Sequence, residues 1–255
     1  MSIPITLSRT REWQTVICSC LSTAAVCPRK CIRKRPRWRK KPSPSIRVWA
    51  SRTHRSVLPA LGEFDRANAE AQRALELDPL SIVNNTDSGT VYWITGRYQE
   101  AVTQFKKAIE MDPRNYTARW GLGQALERIG DLPGAIAEYE KATQLDDDPL
   151  PLGLLGAAKA KADDRTGALS ILDKLQEIAK QRYVADYSFA LIHLALGQKD
   201  DAMKWLESSY AKHQPDLNWV RVDPDLRPLH GDARFEALAE KILPAREFKG
   251  SIAFK

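Results

Sequence analysis

A 34-residue self-similarity constrains this chain more than any other feature. Gly62, Gly96 and Gly130 stand 34 residues apart. So do Phe64, Tyr98 and Leu132, then Ala67, Ala101 and Ala135, then Ala74, Ala108 and Ala142. Asp78-Pro79 and Asp112-Pro113 keep the same interval. A period of this length marks a small unit that cannot hide its apolar face alone. Neighbouring units must stack and bury it in common, which predicts an array rather than a chain closed around one centre.

Each copy reads as two helices. In the second, Ile82 to Thr95 form the first helix, with Gly89 and Tyr92 facing inward. Gly96 turns the chain, because glycine takes the left-handed conformation that ends a helix. Ala101, Phe105, Ala108 and Ile109 then recur at helical spacing over Tyr98 to Met111. Asp112-Pro113 stops that helix, since proline disfavours helical geometry in the residue before it. The third copy repeats the pattern with Gly123, Leu126, Gly130, Ala135, Tyr139 and Ala142. Small residues at Gly89 and Ala101, and at Gly123 and Ala135, let the paired helices approach, with an aromatic filling the space beside them.

These residues resemble the tetratricopeptide repeat, a 34-residue helix–turn–helix unit. The resemblance implies an all-α, right-handed superhelical solenoid of antiparallel helix pairs closed by a C-terminal capping helix. The expected organisation is an array over 58–215: a half repeat at 58–79, then repeats at 80–113, 114–148, 149–182 and 183–215. In the half repeat, His54, Arg55 and Pro59 stand where a first helix wants small or apolar residues. The fourth unit has Leu155-Gly156, a turn at Asp163-Asp164-Arg165 and a second helix from Thr166. The step from Ala135 to Ala168 is 33 rather than 34. The fifth unit carries Phe189-Ala190, Gly197, Ala202, Leu206 and Ser209. Residues 216–243 read as a cap, irregular through Pro224 and Pro228 and then helical after Asp232, which can accept from the free amides of a first turn. Residues 244–255 form a tail. The run from Val222 through Leu229 to Phe235 is similar to the close of such arrays in larger bacterial signalling proteins.

Charge separates the array from what precedes it. Of the chain's 39 Lys and Arg, 14 fall in residues 1–57, against the single acid Glu12. The remaining residues hold 25 against 31 Asp and Glu, a deficit of six, so the net +7 describes no folded part of the chain. All four cysteines (Cys18, Cys20, Cys27 and Cys31) lie in the basic piece. Four readings of residues 1–57 compete: a nucleic-acid tail in which Trp38 stacks on a base, a secretory or lipoprotein signal, a zinc site, or a segment read out of frame that is no selected fold element. The last is preferred. The segment ends mid-repeat, where the repeat pattern begins, and its Arg, Cys, Ser, Pro and Trp bias is what a GC-rich gene gives when read out of frame. Disorder is expected over most of 1–50.

The array shows little chemistry. His54, His193, His213 and His230 are scattered, and His193 is expected as a buried, hydrogen-bonded ring. Gly121-Leu122-Gly123 begins like a dinucleotide loop but lacks a third glycine and a preceding strand, so both glycines are assigned to helix packing. Asp146-Asp147-Asp148 has no calcium-loop spacing. No catalytic residue, metal site or cofactor is expected. No run of 18 apolar residues is present, so no spanning helix is expected and the cytoplasm is the expected location.

What remains is protein binding. By the resemblance, first helices line the concave face, which places Thr86, Thr90, Trp93, Thr117, Trp120, Gln124, Arg128, Tyr187 and Leu191 in a groove suited to a peptide or partner helix. Trp93 and Trp120 have a second reading, as packing between neighbouring repeats. Thr86, Thr90 and Thr117 occupy places where chaperone-tail binders of this family carry Lys, Asn and Arg, so that carboxylate clamp is absent. The expected function is a non-catalytic interaction scaffold. The alternatives are a sensor array severed from a transcriptional or kinase signalling protein, and nucleic-acid binding through the basic tail.

Overall fold

Period becomes helix pairs in the computed structural model, which describes residues 58–250. A helical turn at Leu58–Ala60 leads through Gly62 into α1 (Phe64–Leu77). Four pairs follow: α2 (Ile82–Ile94) with α3 (Tyr98–Met111), α4 (Tyr116–Arg128) with α5 (Leu132–Leu145), α6 (Pro149–Lys161) with α7 (Arg165–Ala179), and α8 (Asp186–Ala195) with α9 (Lys199–Ala211). Two 3-10 helices, Pro215–Trp219 and Pro224–Leu229, and then α10 (Ala233–Ile242) complete it. Each helix of the pairs packs on the next, and the first helices α2, α4, α6 and α8 also touch in succession. This is the all-α solenoid that the period implies. The basic segment 1–57, with its four competing readings and its cysteines, lies outside the described residues.

The turn glycines do what their spacing predicts. Gly62, Gly96, Gly130 and Gly197 have φ of +76°, +81°, +88° and +78°, in the left-handed region that L side chains rarely enter. In the fourth unit Asp163 holds that position at φ +61°. The following Asp164 accepts from the Gly167 amide and so starts α7. Asp232 likewise accepts from the Arg234 amide to start α10.

Close packing follows the small-residue columns. Ala67, Ala101, Ala135, Ala168 and Ala202, one per unit, are all fully buried. The Phe105 ring lies so near Gly89 and Gly121 that a β-carbon on either would meet it at 2.7 or 2.5 Å. Tyr139 sits over Gly123 in the same way, at 2.5 Å. Gly121 and Gly123 are therefore packing glycines, as assigned from the sequence.

The polar start of α2 is buried, and its side-chain donors reach carbonyls of the preceding unit, while Asn85 Oδ1 is left without a partner among the described residues. Asn84 Nδ2 donates to the Ala74 carbonyl at 3.1 Å, Asn85 Nδ2 to Pro79 at 3.0 Å, and Ser88 Oγ to Ala71 at 3.3 Å. Such donors are tolerated inside because each finds a partner.

The C-terminal segment does more than close the last pair. Leu217, Val220, Val222, Leu226 and Leu229 are buried, as are Phe235 and Leu238 of α10, which packs on α9. Beyond α10 the chain reaches the first unit, where the Lys249 amide donates to the Leu61 carbonyl at 2.8 Å. Among the described residues, this is the one backbone–backbone hydrogen bond between residues 215–250 and the helix pairs. Residues 215–250 thus form a strap, held to the array by side chains.

Candidate functional site

The ends of α4 and α6 bring together two cations. Arg128 and Lys161 are 33 residues apart, the same step that separates Ala135 from Ala168, so they occupy one column in successive units. Both take their partner from the strap. Arg128 Nη2 donates to Asp225 Oδ1, Lys161 Nζ lies 3.5 Å from the same oxygen, and Gln124 Nε2 donates to Asp225 Oδ2 at 3.2 Å. Lys161 also donates to Glu127 at 2.5 Å, and the buried Tyr139 hydroxyl donates to Glu127 at 2.7 Å.

A second acid stands beside the first. Asp223 starts the 3-10 helix Pro224–Leu229 by accepting from the Asp225 amide at 2.8 Å. Its other oxygen accepts from the buried Tyr187 hydroxyl at 2.5 Å. The two carboxyls move in opposite directions. Burial and then the Asp225 charge push Asp223 up to about 7. Burial would raise Asp225 too, but Lys161 and Arg128 outweigh it and hold that carboxyl below its usual range. Burial, then Asp223, drives the Tyr187 hydroxyl well above its ordinary value.

Other strap contacts spread along the array. Arg227 Nη2 donates to the Tyr98 hydroxyl at the start of α3, at 3.0 Å. Lys249 pairs with Glu63 beside α1 at 2.8 Å. Between strap and first helices lies a cavity of about 190 Å³, lined by Leu154, Ala157, Lys161, Leu191, Leu194 and Pro228 among others.

The nine groove candidates therefore fall into two groups. Gln124, Arg128, Tyr187 and Leu191 meet the strap or the cavity beside it. Thr86, Thr90, Trp93, Thr117 and Trp120 have no recorded bond to it. Thr86 Oγ1 donates to the Ile82 carbonyl at 2.9 Å and accepts from Asn115 at 3.5 Å; Thr90 Oγ1 donates to the Thr86 carbonyl at 3.2 Å. Trp93 is 7% exposed and belongs to the core, with its Nε1 buried and unpartnered, whereas Trp120 is half-buried against that core. Thr117 is half-buried. Lys161, Asp223 and Asp225 were not singled out from the sequence. The shared column of Arg128 and Lys161 was the available signal, but nothing in the repeat names their partner. His193 is half-buried rather than buried, with Nδ1 2.7 Å from the Gln198 side-chain oxygen. Among the described residues, no group of three or more His, Cys, Asp or Glu is placed to hold a metal ion, and no helix is long and apolar enough to cross a membrane.

Comparison with known proteins agrees with this architecture. The tetratricopeptide repeat family profile matches residues 86–149. A thermophilic TPR protein of Thermus thermophilus superposes with a TM-score of 0.56 at 18% identity, over 75% of this chain and 98% of that one. YrrB, described as a TPR protein with an unusual peptide-binding site, gives 0.42 at 22% identity, over 66% and 88%. An O-GlcNAc transferase mutant from Thermobaculum terrenum gives 0.44 at 20% identity, over 48% of this chain and only 24% of that one. No curated protein matches the sequence. The Thermus superposition shows a shared helical-repeat fold. With the 34-residue period and the helix pairs built on it, the profile match identifies residues 86–149 as tetratricopeptide repeats.

Proposed function

We propose that the chain is a non-catalytic interaction scaffold whose first-helix face holds a peptide segment of a protein partner. One observation carries this reading. Side chains of α4, α6 and α8 grip the strap residues Asp223–Leu229 through Gln124, Arg128, Lys161 and Tyr187, so the face has the chemistry to bind a short peptide segment. Thr86, Thr90, Thr117 and Trp120 extend the same row of first helices toward the first unit and are the proposed contacts there. Trp93 supports them from the core.

Photo-crosslinkers placed singly at Thr90, at Trp120 and at the exposed Lys106 of α3 test the face, with the full chain as bait. The same partner should be captured from Thr90 and Trp120 but not from Lys106. Trp120→Ala should weaken that capture about thirtyfold, corresponding to about 2 kcal/mol for an aromatic anchor, with little change in melting temperature. Capture from Lys106 alone, or a large loss of melting temperature, would instead make the outer face the binding surface and Trp120 a packing residue.

A further inference from the structure

The inner-face cations are already matched to a ligand, and that ligand is the chain itself. Within the cluster, the helix pairs supply Arg128, Lys161 and Glu127, two positive charges against one negative. The array alone therefore presents one uncompensated positive charge, and with the strap seated on it Arg128 is 21% exposed, so the segment that covers the cation must also neutralise it. Asp225 of the strap, 6% exposed, brings the missing carboxylate. Leaving a buried charge unpaired is strongly unfavourable, so this site demands an acid.

The strap is held in a way that a separate segment could copy. Its sequence Val222-Asp-Pro-Asp-Leu-Arg-Pro-Leu229 makes no helix-to-helix or strand ladder with the array. Within this stretch the polar links to the helix pairs run through side chains: Asp223 to Tyr187, Asp225 to Arg128, Lys161 and Gln124, and Arg227 to Tyr98, while Asp216 with Tyr183 and Arg234 with Asp200 hold the strap on either side of it. The prolines fix the backbone, so little ordering entropy is lost when such a stretch docks.

We propose that the cradle of Gln124, Arg128, Lys161 and Tyr187 is a recognition site for an acidic Asp-Pro-Asp-Leu-type segment, occupied by the strap until a partner carrying that chemistry displaces it. This rests on the scaffold reading and names the partner's class. Residues 222–229 act as a built-in competitor. Apparent affinity for an outside segment is then reduced by the fraction of molecules whose strap is closed.

The test titrates a labelled peptide with the sequence of residues 219–232 into the full chain, read by fluorescence anisotropy, beside the variant Asp225→Asn. The variant should bind the peptide about tenfold more tightly than the wild-type chain, because its own strap has lost the charge that closes it. A peptide that itself carries the Asp225→Asn change should bind neither protein. Absence of saturable binding to both proteins overturns the proposal. Should the variant fail to fold, hydrogen exchange on the unaltered chain decides. Leu226 and Leu229 amides opening ahead of those in α4 and α6 support it, whereas exchange only with global unfolding overturns it. If the peptide fails while Trp120→Ala still loses its crosslinked partner, this inference falls and the scaffold reading stands.

Discussion

A single phenyl ring shows how little slack the repeat leaves. One edge of the Phe105 ring (Cδ1, Cε1 and Cζ) lies against both Gly89 and Gly121, so a β-carbon on either glycine must push the buried ring back. Alanine in place of glycine would favour the helix by about 1 kcal/mol, while overpacking a core costs about 1–3 kcal/mol. With the ring itself buried the cost prevails, and Gly89→Ala should lose about 1 kcal/mol in a denaturant titration. Gly96→Ala meets no atom within 4 Å, yet φ of +81° should cost about 1 kcal/mol through the backbone alone. The fourth-unit turn offers the reverse experiment. Asp163 sits at φ +61° where its counterparts are glycines, and Asp163→Gly relieves that conformation. Part of the gain is offset by the freer unfolded chain. A net increase of about 0.5 kcal/mol, or about 1–2 °C in melting temperature, is expected. A decrease would mean that the aspartate side chain does more than occupy a glycine's place.

At the scale of the element, the strap's 3-10 turn has its own pH dependence. The Asp223 carboxyl is raised to about 7 in the folded chain, by burial and then by Asp225. Unfolded, it would titrate near an ordinary aspartate, about 3.9. Between those limits the folded state holds a proton that the unfolded state releases. Asp223 therefore stabilises the fold most below about 4, and this contribution is lost as pH rises toward about 7. His230, lowered by burial, acts in the opposite sense below its ordinary value. The informative quantity is thus the difference between wild type and Asp223→Asn. Melts from pH 4.5 to 7.5 should show the wild type losing stability relative to the variant as pH rises, and a constant difference would contradict the placement of Asp223.

For the whole molecule, the strap alters how the array unfolds. In an open repeat array each unit contacts only its neighbours, and stability is close to a sum of local terms. Here residues 215–250 touch the fifth unit through α10, the third and fourth through Asp225, the second through Arg227 and the first through Lys249. That gives distant units a common element. Ending the chain at residue 214 should lower the urea midpoint and reduce the m-value by more than the share of residues removed, because the remaining units no longer open together. An m-value reduced only in proportion would show that the strap adds stability without adding cooperativity.

Periodicity alone determined the helix pairs, their turns and their packing columns. Those depend on local backbone preference and on contacts between adjacent units, both of which recur every 34 residues and are written in the chain. Glycine at Gly62, Gly96 and Gly130, alanine at Ala67, Ala101 and Ala135, and the ring of Phe105 were all legible for that reason. The strap was legible only as a cap. Its buried leucines and prolines mark an irregular apolar segment, but no sequence interval records that Asp225 returns 97 residues to meet Arg128. Pairing at that separation does not follow the 34-residue period, so pattern cannot reveal it. Burial and charge neutralisation in three dimensions decided which groove residues meet the chain's own C-terminal segment.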